Sequence, residues 1–176
     1  MIQKMLVRKA ILTLLLAVFV GSAVAGERVW KTFTGHVVGV VDGDTIDVLT
    51  PEPERELLRI RLMGIDAPEK RQAFGVVSKS KLAELVFGRD VRIDWHKYVN
   101  RNSRIVGQVF LSDGSDVNLA MVEAGMAWWY RAYAREQRPD DRARYLDAEN
   151  RARKKGLGLW IDENPVAPWE FRHPKK

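Results

Sequence analysis

Carboxylates are concentrated in two short stretches of the chain, Asp42-Gly43-Asp44-Thr45 and Asp66-Ala67-Pro68-Glu69, and an arginine, Arg61, precedes the second. Both stretches interrupt apolar, β-branched runs, where Asp and Gly ordinarily build turns and cap loops. If the two loop ends converge, the same side chains make an oxygen-rich cluster suited to a hard cation such as Ca²⁺, which takes carboxylates, backbone carbonyls and water. Arg61 stands five residues before Asp66 and eight before Glu69, so one strand end and its loop can present a cation, a metal ligand and a base together. Phosphodiester hydrolysis needs that set: a water must lose a proton, and the charge on five-coordinate phosphorus must be neutralised. A guanidinium suits the second task because it stays charged and donates two parallel hydrogen bonds to phosphate oxygens. Taken alone, Arg61 reads as a solvated strand residue beside Arg59.

Other chemistries are excluded or weakened by the same residues. Ile46 falls where an EF-hand would need its next oxygen ligand after Asp42 and Asp44. His36, His96 and His173 show no zinc-ligand spacing, and the absence of cysteine removes disulfides, thiolate metal sites and a Cys nucleophile. Trp128, Trp129, Tyr130 and Tyr133 form an aromatic cluster with Arg131 and Arg135 close by. Aromatic faces stack on bases, but large apolar residues after a helix usually pack, so the tryptophans read as core. Arg151, Arg153, Lys154 and Lys155 read as a solvated basic helix end with non-specific attraction for nucleic acid.

The elements that must position these residues follow from periodicity. Thr32 to Thr50 holds two β-branched runs around Asp42-Gly43, a dipeptide suited to a tight hairpin. After the proline-interrupted loop Pro51-Glu52-Pro53-Glu54, Leu58, Ile60 and Leu62 alternate with Arg59 and Arg61, predicting a third strand with both arginines on the other face. Gly64 and Pro68 predict an irregular loop at its end. Phe74 to Phe87 has helical period, with Phe74, Val77, Leu82, Leu85 and Val86 on one half of the wheel and Gly88 as the stop. Val91, Ile93 and Trp95 alternate with Arg92, Asp94 and His96 along a half-buried strand, and Ile105 to Leu111 forms another. A short helix is expected around Asn118 to Ala124. The last runs from about Asp140 to Lys155, acidic at its start and basic at its end as the helix dipole favours. Strands, helix, strands, helix, helix without repeat or linker predict an α+β fold, a five-stranded OB-type barrel with about three helices, although other α+β folds share that order.

Residues 1–25 differ in kind from the rest. Lys4, Arg8 and Lys9 lead an apolar run from Ala10 to Val20, and Ala23-Val24-Ala25 closes it in the pattern a signal peptidase accepts, predicting cleavage before Gly26 and export to periplasm or medium. The apolar run is too short for a comfortable membrane anchor. The remaining 151 residues suit one domain with one core. They carry a net charge of +3, which permits an anionic partner without proving one.

Val41-Asp42-Gly43-Asp44-Thr45 followed by Arg61-Leu62-Met63-Gly64-Ile65-Asp66-Ala67-Pro68-Glu69 resembles the signature of the staphylococcal nuclease (thermonuclease) family. Further similar stretches follow in order: Gly125-Met126-Ala127-Trp128 through Tyr133, the Ala148-Glu149 to Ala152-Arg153 helix, Gly158-Leu159-Trp160, and Pro168-Trp169-Glu170-Phe171-Arg172. The resemblance spans roughly Thr34 to Arg172, and matches in the right order are far more specific than Asp-Gly-Asp alone.

The resemblance implies a role for each matching residue. Asp44 and Asp66 stand where the family holds Ca²⁺, and Ala67 where it contributes a main-chain carbonyl. Glu69 matches the glutamate that positions or deprotonates the attacking water, and Arg61 the first catalytic arginine. Arg104 matches the second, although Asn100-Arg101-Asn102-Ser103 departs from the acidic, aromatic and glycine pattern usual before it. Tyr133 aligns with a tyrosine of the nucleotide pocket, and Tyr130 is a further candidate there. Together these imply a monomeric calcium-dependent endonuclease acting on DNA and RNA, with single strands preferred and 3′-phosphate ends left. The competing expectations are a catalytically silent OB-fold binder of nucleic acid and, ranked last, an envelope protein that binds an anionic polymer.

Overall fold

The structure, a computed structural model, describes residues 28–99 and 104–174. The expected leader, the expected turn at residues 100–103 and residues 175–176 lie outside the described residues. The strands are β1 (Lys31–Asp42), β2 (Thr45–Leu49), β3 (Leu57–Leu62), β4 (Ile65–Asp66), β5 (Asp90–Val99), β6 (Arg104–Leu111) and β7 (Trp128–Trp129). Five of them close into a barrel in the order β1-β2-β3-β6-β5. Only β3 and β6 run parallel, Arg59 opposite Arg104 and Arg61 opposite Val106; the other pairs are antiparallel. Closure leaves no exposed barrel edge for another chain to pair with. The expected five-stranded barrel is therefore present.

The helices are α1 (Gly75–Val86), α2 (Val117–Glu123), α3 (Pro139–Lys154) and a short α4 (Pro168–Arg172). The first three are the expected helices, and α4 is an addition. Alternate β-branched side chains fill the barrel, among them Val37, Ile46, Val48, Ile60, Ile93 and Val109, all 0% exposed. Leu82 and Val86 of α1, Met121 of α2 and Tyr145 of α3 extend that core beyond the barrel. Each such aliphatic side chain stabilises the fold by about 1.5–3 kcal/mol on burial. A smaller cluster of Trp128, Ala152, Leu159, Trp160 and Ala167, flanked by Phe74 and Trp169, packs α3 against the C-terminal segment. Arg153 stands over the Trp160 ring at 3.7 Å, so this exposed member of the basic helix end also packs on an aromatic face.

The local pattern misjudged three details. The hairpin joining β1 and β2 turns at Gly43-Asp44, one residue later than expected, with Asp42 paired to Thr45. The Asp42 carboxylate accepts from the Asp44 amide at 3.1 Å, a local bond that fixes this alternative turn. Helix α1 buries Gly75, Ser78, Leu82 and Val86, whereas Val77 is 49% exposed. Its inward face is set by Ser78, which donates to the Met126 carbonyl at 2.7 Å and presses on Gly43. Finally, the loop after β3 contains a two-residue strand. Ile65 and Asp66 pair with Trp129 and Trp128, a non-local partnership that no local period reveals.

Candidate active site

The hairpin turn and the loop after β3 meet at one end of the barrel. Asp44 is nearly buried, its Oδ1 accepting from Thr45 Oγ1 at 3.0 Å and its Oδ2 from the Ala67 amide at 2.8 Å. Ala67 thus ties the second carboxylate segment to the first. Gly43 makes the approach possible, because a Cβ there would stand 2.7 Å from Ala67 Cβ and 2.8 Å from Ser78 Cβ. Asp66 is fully buried, its backbone held by the β4–β7 pairing. Glu69 follows Pro68 into a looser turn. Its amide donates to Gln72 Oε1 at 3.1 Å, and its side chain is 40% exposed.

Arg61 lies between the two buried aspartates. One guanidinium nitrogen meets Asp44 Oδ2, and the other donates to Asp66 Oδ1 at 2.8 Å. The strand face it shares with Arg59 is therefore not simply solvated: Arg59 pairs outward with Asp47 at 2.8 Å, while Arg61 turns into the carboxylates. Alternation had placed both arginines correctly opposite Leu58, Ile60 and Leu62, and the turn supplied the partners.

Asp44, Asp66, Ala67, Glu69, Arg61, Arg104, Tyr130 and Tyr133 all line a single cavity of about 530 Å³. The parallel pairing of β3 and β6 sets Arg104 on the same side as Arg61. Lys97 joins the same wall because β5 slips register between Trp95 and Lys97, and such a bulge re-aims the side chains beyond it. The expected site residues are thus all brought together. The two tyrosines differ, however. Tyr130 is half-buried with its ring stacked on Trp169, centroids 5.2 Å apart and planes 3° from parallel. Tyr133 is 47% exposed, with the Lys97 ammonium 5.5 Å from its ring centre.

Lys97 and Glu136 line the cavity without any role suggested by the sequence, and Asp42 and Arg172 hold places there that the sequence did not single out. Asp42, named in the sequence as a turn former and one of the clustered carboxylates but not as a ligand, lines the cavity beside Asp44. Arg172, on α4, donates through Nη2 to Asp66 Oδ2 at 2.7 Å and through Nη1 to Glu69 Oε1 at 2.7 Å. Its only sequence signal was its place at the end of the matched Pro168-Trp169-Glu170-Phe171-Arg172 stretch.

Crowding shows in the proton affinities. Burial, reinforced by the neighbouring Asp44 charge, pushes the Asp42 carboxyl up to about 6. Burial also raises Asp66 above the usual carboxylate range, and the attraction of Arg172 and Arg61 offsets only part of it. For Arg61, burial acts downward, but Asp44, Asp66 and Asp42 together outweigh it and keep the guanidinium firmly charged.

Asp42, Asp44, Asp66, Glu69 and Glu136 line the cavity with Arg61, Lys97, Arg104 and Arg172, and of these Asp44 and Asp66 offer hard oxygen atoms from buried positions. That donor chemistry fits a divalent cation of the Ca²⁺ type. Among the described residues no group of three or more His, Cys, Asp or Glu is placed to hold a metal ion, so such an ion would rest on fewer side chains together with water and phosphate.

Comparison with known proteins bears on the same segments. The family pattern described as staphylococcal nuclease homologue matches residues 59–162. A micrococcal nuclease of Shigella flexneri is 41% identical over 155 residues, covering 84% of this chain and 84% of its own length. An uncharacterized endonuclease of Haemophilus influenzae is 40% identical over 173 residues, covering 98% of this chain and 89% of its own. A protein of Escherichia coli named ParB is 41% identical over 157 residues, covering 85% and 84%.

Proposed function

This chain belongs to the staphylococcal nuclease family, and we propose that it is a calcium-dependent endonuclease cleaving DNA and RNA to leave 3′-phosphate ends. A hydrolase of the nuclease class is what its relatives' names support. The observation that carries the finer reading is Arg61 held between Asp44 and Asp66 on the wall of a cavity that also takes in Glu69 and Arg104.

Asp44, Asp66 and the Ala67 carbonyl would hold Ca²⁺, which when bound supplies Lewis-acid neutralisation of the phosphate and a more acidic water. Glu69, with its half-exposed carboxylate, accepts the proton of the attacking water. The water oxygen bonds to phosphorus as the bond from phosphorus to the 5′ oxygen breaks; that oxygen takes a proton from solvent and leaves as a 5′-hydroxyl, so the phosphate stays on the 3′ side. Arg61 and Arg104 donate to the phosphoryl oxygens, whose charge grows in the transition state. Tyr133, with Tyr130 behind it, offers an aromatic wall to the nucleotide. A cavity of about 530 Å³ accommodates a splayed nucleotide better than a duplex, which favours single-stranded or frayed substrate. The leader pattern of residues 1–25 supports export, and among the described residues no helix is long and apolar enough to cross a membrane.

The test uses the chain from Gly26 onward on a single-stranded oligonucleotide and on RNA. Cleavage to 3′-phosphate ends is expected with Ca²⁺, abolished by EGTA and reduced at least a hundredfold in Glu69→Gln. Cleavage that survives both treatments unchanged would sink the mechanism. Binding without any cleavage would leave the silent OB-type module in its place.

A further inference from the structure

We propose that Arg172 is the resident counter-ion of the cation site, so that the C-terminal helix sets how tightly the enzyme holds its metal. The inference rests on reading Asp44 and Asp66 as the metal ligands. Three features carry it.

Arg172 is bound where a cation would be. Its Nη2 lies 2.7 Å from Asp66 Oδ2 and its Nη1 3.2 Å from Asp66 Oδ1, while Nη1 also reaches Glu69 Oε1 at 2.7 Å. Both oxygens of Asp66 are thus engaged by one arginine, and Oδ1 is shared with Arg61. A divalent cation approaching Asp66 meets a fixed positive charge already in hydrogen-bond contact with the carboxylate it needs. Like charges at that range oppose each other strongly, even with protein screening.

Of the two arginines, Arg172 is the one able to leave. Its side chain is 35% exposed, against 19% for Arg61, which is anchored between two aspartates on a barrel strand. A long arginine at the end of a short helix can swing toward solvent without disturbing the barrel.

The helix that delivers it is itself tied to the site. Trp169 stacks on Tyr130 and meets Trp128 edge-on, with centroids 5.4 Å apart. Gln72 links the same parts through the backbone, its Oε1 accepting from the Glu69 amide while its Nε2 donates to the Val166 carbonyl just before α4. Arg172 is therefore held in register with Glu69 and Asp66 rather than resting there by chance.

The consequence has a definite sign. Removing the Arg172 charge removes both a competitor and a repulsion, and the cation should bind on the order of tenfold more tightly. A merely structural role would act the other way, loosening the loop and weakening binding. The experiment titrates the chain from Gly26 onward, without nucleic acid, with Tb³⁺ followed by luminescence excited through the tryptophans, and with Ca²⁺ by calorimetry. Arg172→Gln is expected to lower Kd roughly tenfold, and Arg172→Lys, which keeps the charge but loses the bidentate fork, to lower it less than Arg172→Gln does. Should Arg172→Gln fail to fold, Trp169→Ala, which loosens α4 from a distance, carries the same expectation of tighter binding. Equal or weaker binding by the folded variant overturns the competition and leaves the calcium reading standing. No binding by the unsubstituted chain overturns both.

Discussion

Arg61 Nη2 lies 2.8 Å from Asp66 Oδ1, five residues away along the chain but across the end of a barrel strand. The arginine assigned to the phosphate is thus aimed by the carboxylate assigned to the metal, and neither has to be ordered when substrate arrives. Such preorganisation is where electrostatic catalysis gains most of its strength.

Replacing Arg61 by Lys keeps the charge and loses the two-pronged geometry. We expect kcat on a single-stranded oligonucleotide to fall by about 10²–10³, the range for removing one transition-state donor. Because one nitrogen can no longer serve Asp44 and Asp66 together, stability in chelator should drop by roughly 1–3 kcal/mol. Cleavage kinetics and thermal unfolding measure the two effects separately. A lysine enzyme within threefold of the parent rate would remove Arg61 from the catalytic group.

Asp42 gives the site a pH signature. Its carboxyl stands near 6 in the folded protein against 3.8 as the ordinary value, mainly through burial. A raised carboxyl contributes stability that is fully present below 3.8 and is lost as pH rises through 6. In EGTA, Asp42→Asn should therefore be more stable than the parent at pH 7, by about 1 kcal/mol after discounting for partial exposure, and equal to it near pH 3.5. Urea unfolding of both proteins at the two pH values tests this. A variant that is no more stable at pH 7 contradicts the crowding of Asp42 against Asp44.

Much of this architecture is legible in the sequence because it is written in local periods. Leu58, Ile60 and Leu62 alternating with Arg59 and Arg61 fixed both strand and face, and the ordered Asp-Gly-Asp and Asp-Ala-Pro-Glu segments named carboxylates that share one cavity. What escaped depends on pairings distant in sequence. Asp66 belongs to a two-residue strand only because Trp128 and Trp129 lie beside it. Val77 faces solvent because Ser78 has to meet Gly43 and Met126. Arg172 reaches Asp66 across 106 positions, and nothing in the composition of Pro168–Arg172 announces which carboxylate it will find.

Gly43 connects packing to chemistry. Any Cβ there collides with Ser78 Oγ and stands 2.7 Å from Ala67 Cβ, so the hairpin must move away from the loop that carries Asp66. Gly43→Ala should cost about 1–3 kcal/mol as an overpacked position and should separate Asp44 from the Ala67 amide. Activity should fall further than stability alone explains, since a misplacement of about 1 Å at reacting groups costs around a hundredfold. Ser78→Gly in the same chain relieves the nearer clash and should restore part of both. Melting temperature and kcat of the single and double variants decide the matter, and a fully active Gly43→Ala enzyme would contradict the packing.

The two tyrosines of the cavity should separate by what each substitution disturbs. Tyr130 already has one ring face stacked on Trp169 and meets Tyr133 edge-on at 4.9 Å, so its ring belongs to the wall that holds α4. Tyr133 is the more exposed ring and stands under the Lys97 ammonium, which leaves an aromatic surface beside a positive charge at the cavity rim. A base stacked on aromatic carbon with its phosphate near a cation is the usual way to hold single-stranded nucleic acid, worth about 1–3 kcal/mol per base. Tyr133→Ala should therefore raise KM for a single-stranded oligonucleotide by roughly tenfold or more while leaving kcat and the melting temperature nearly unchanged. Tyr133→Phe, which keeps the ring, should stay close to the parent. Tyr130→Ala should lower the melting temperature more than Tyr133→Ala, because beyond the pair the two tyrosines share it also removes the stack on Trp169, worth about 0.5–1.5 kcal/mol beyond its buried area. The reverse assignment, with Tyr130 changing KM alone and Tyr133 changing only stability, would show that the nucleotide enters on the α4 side of the cavity.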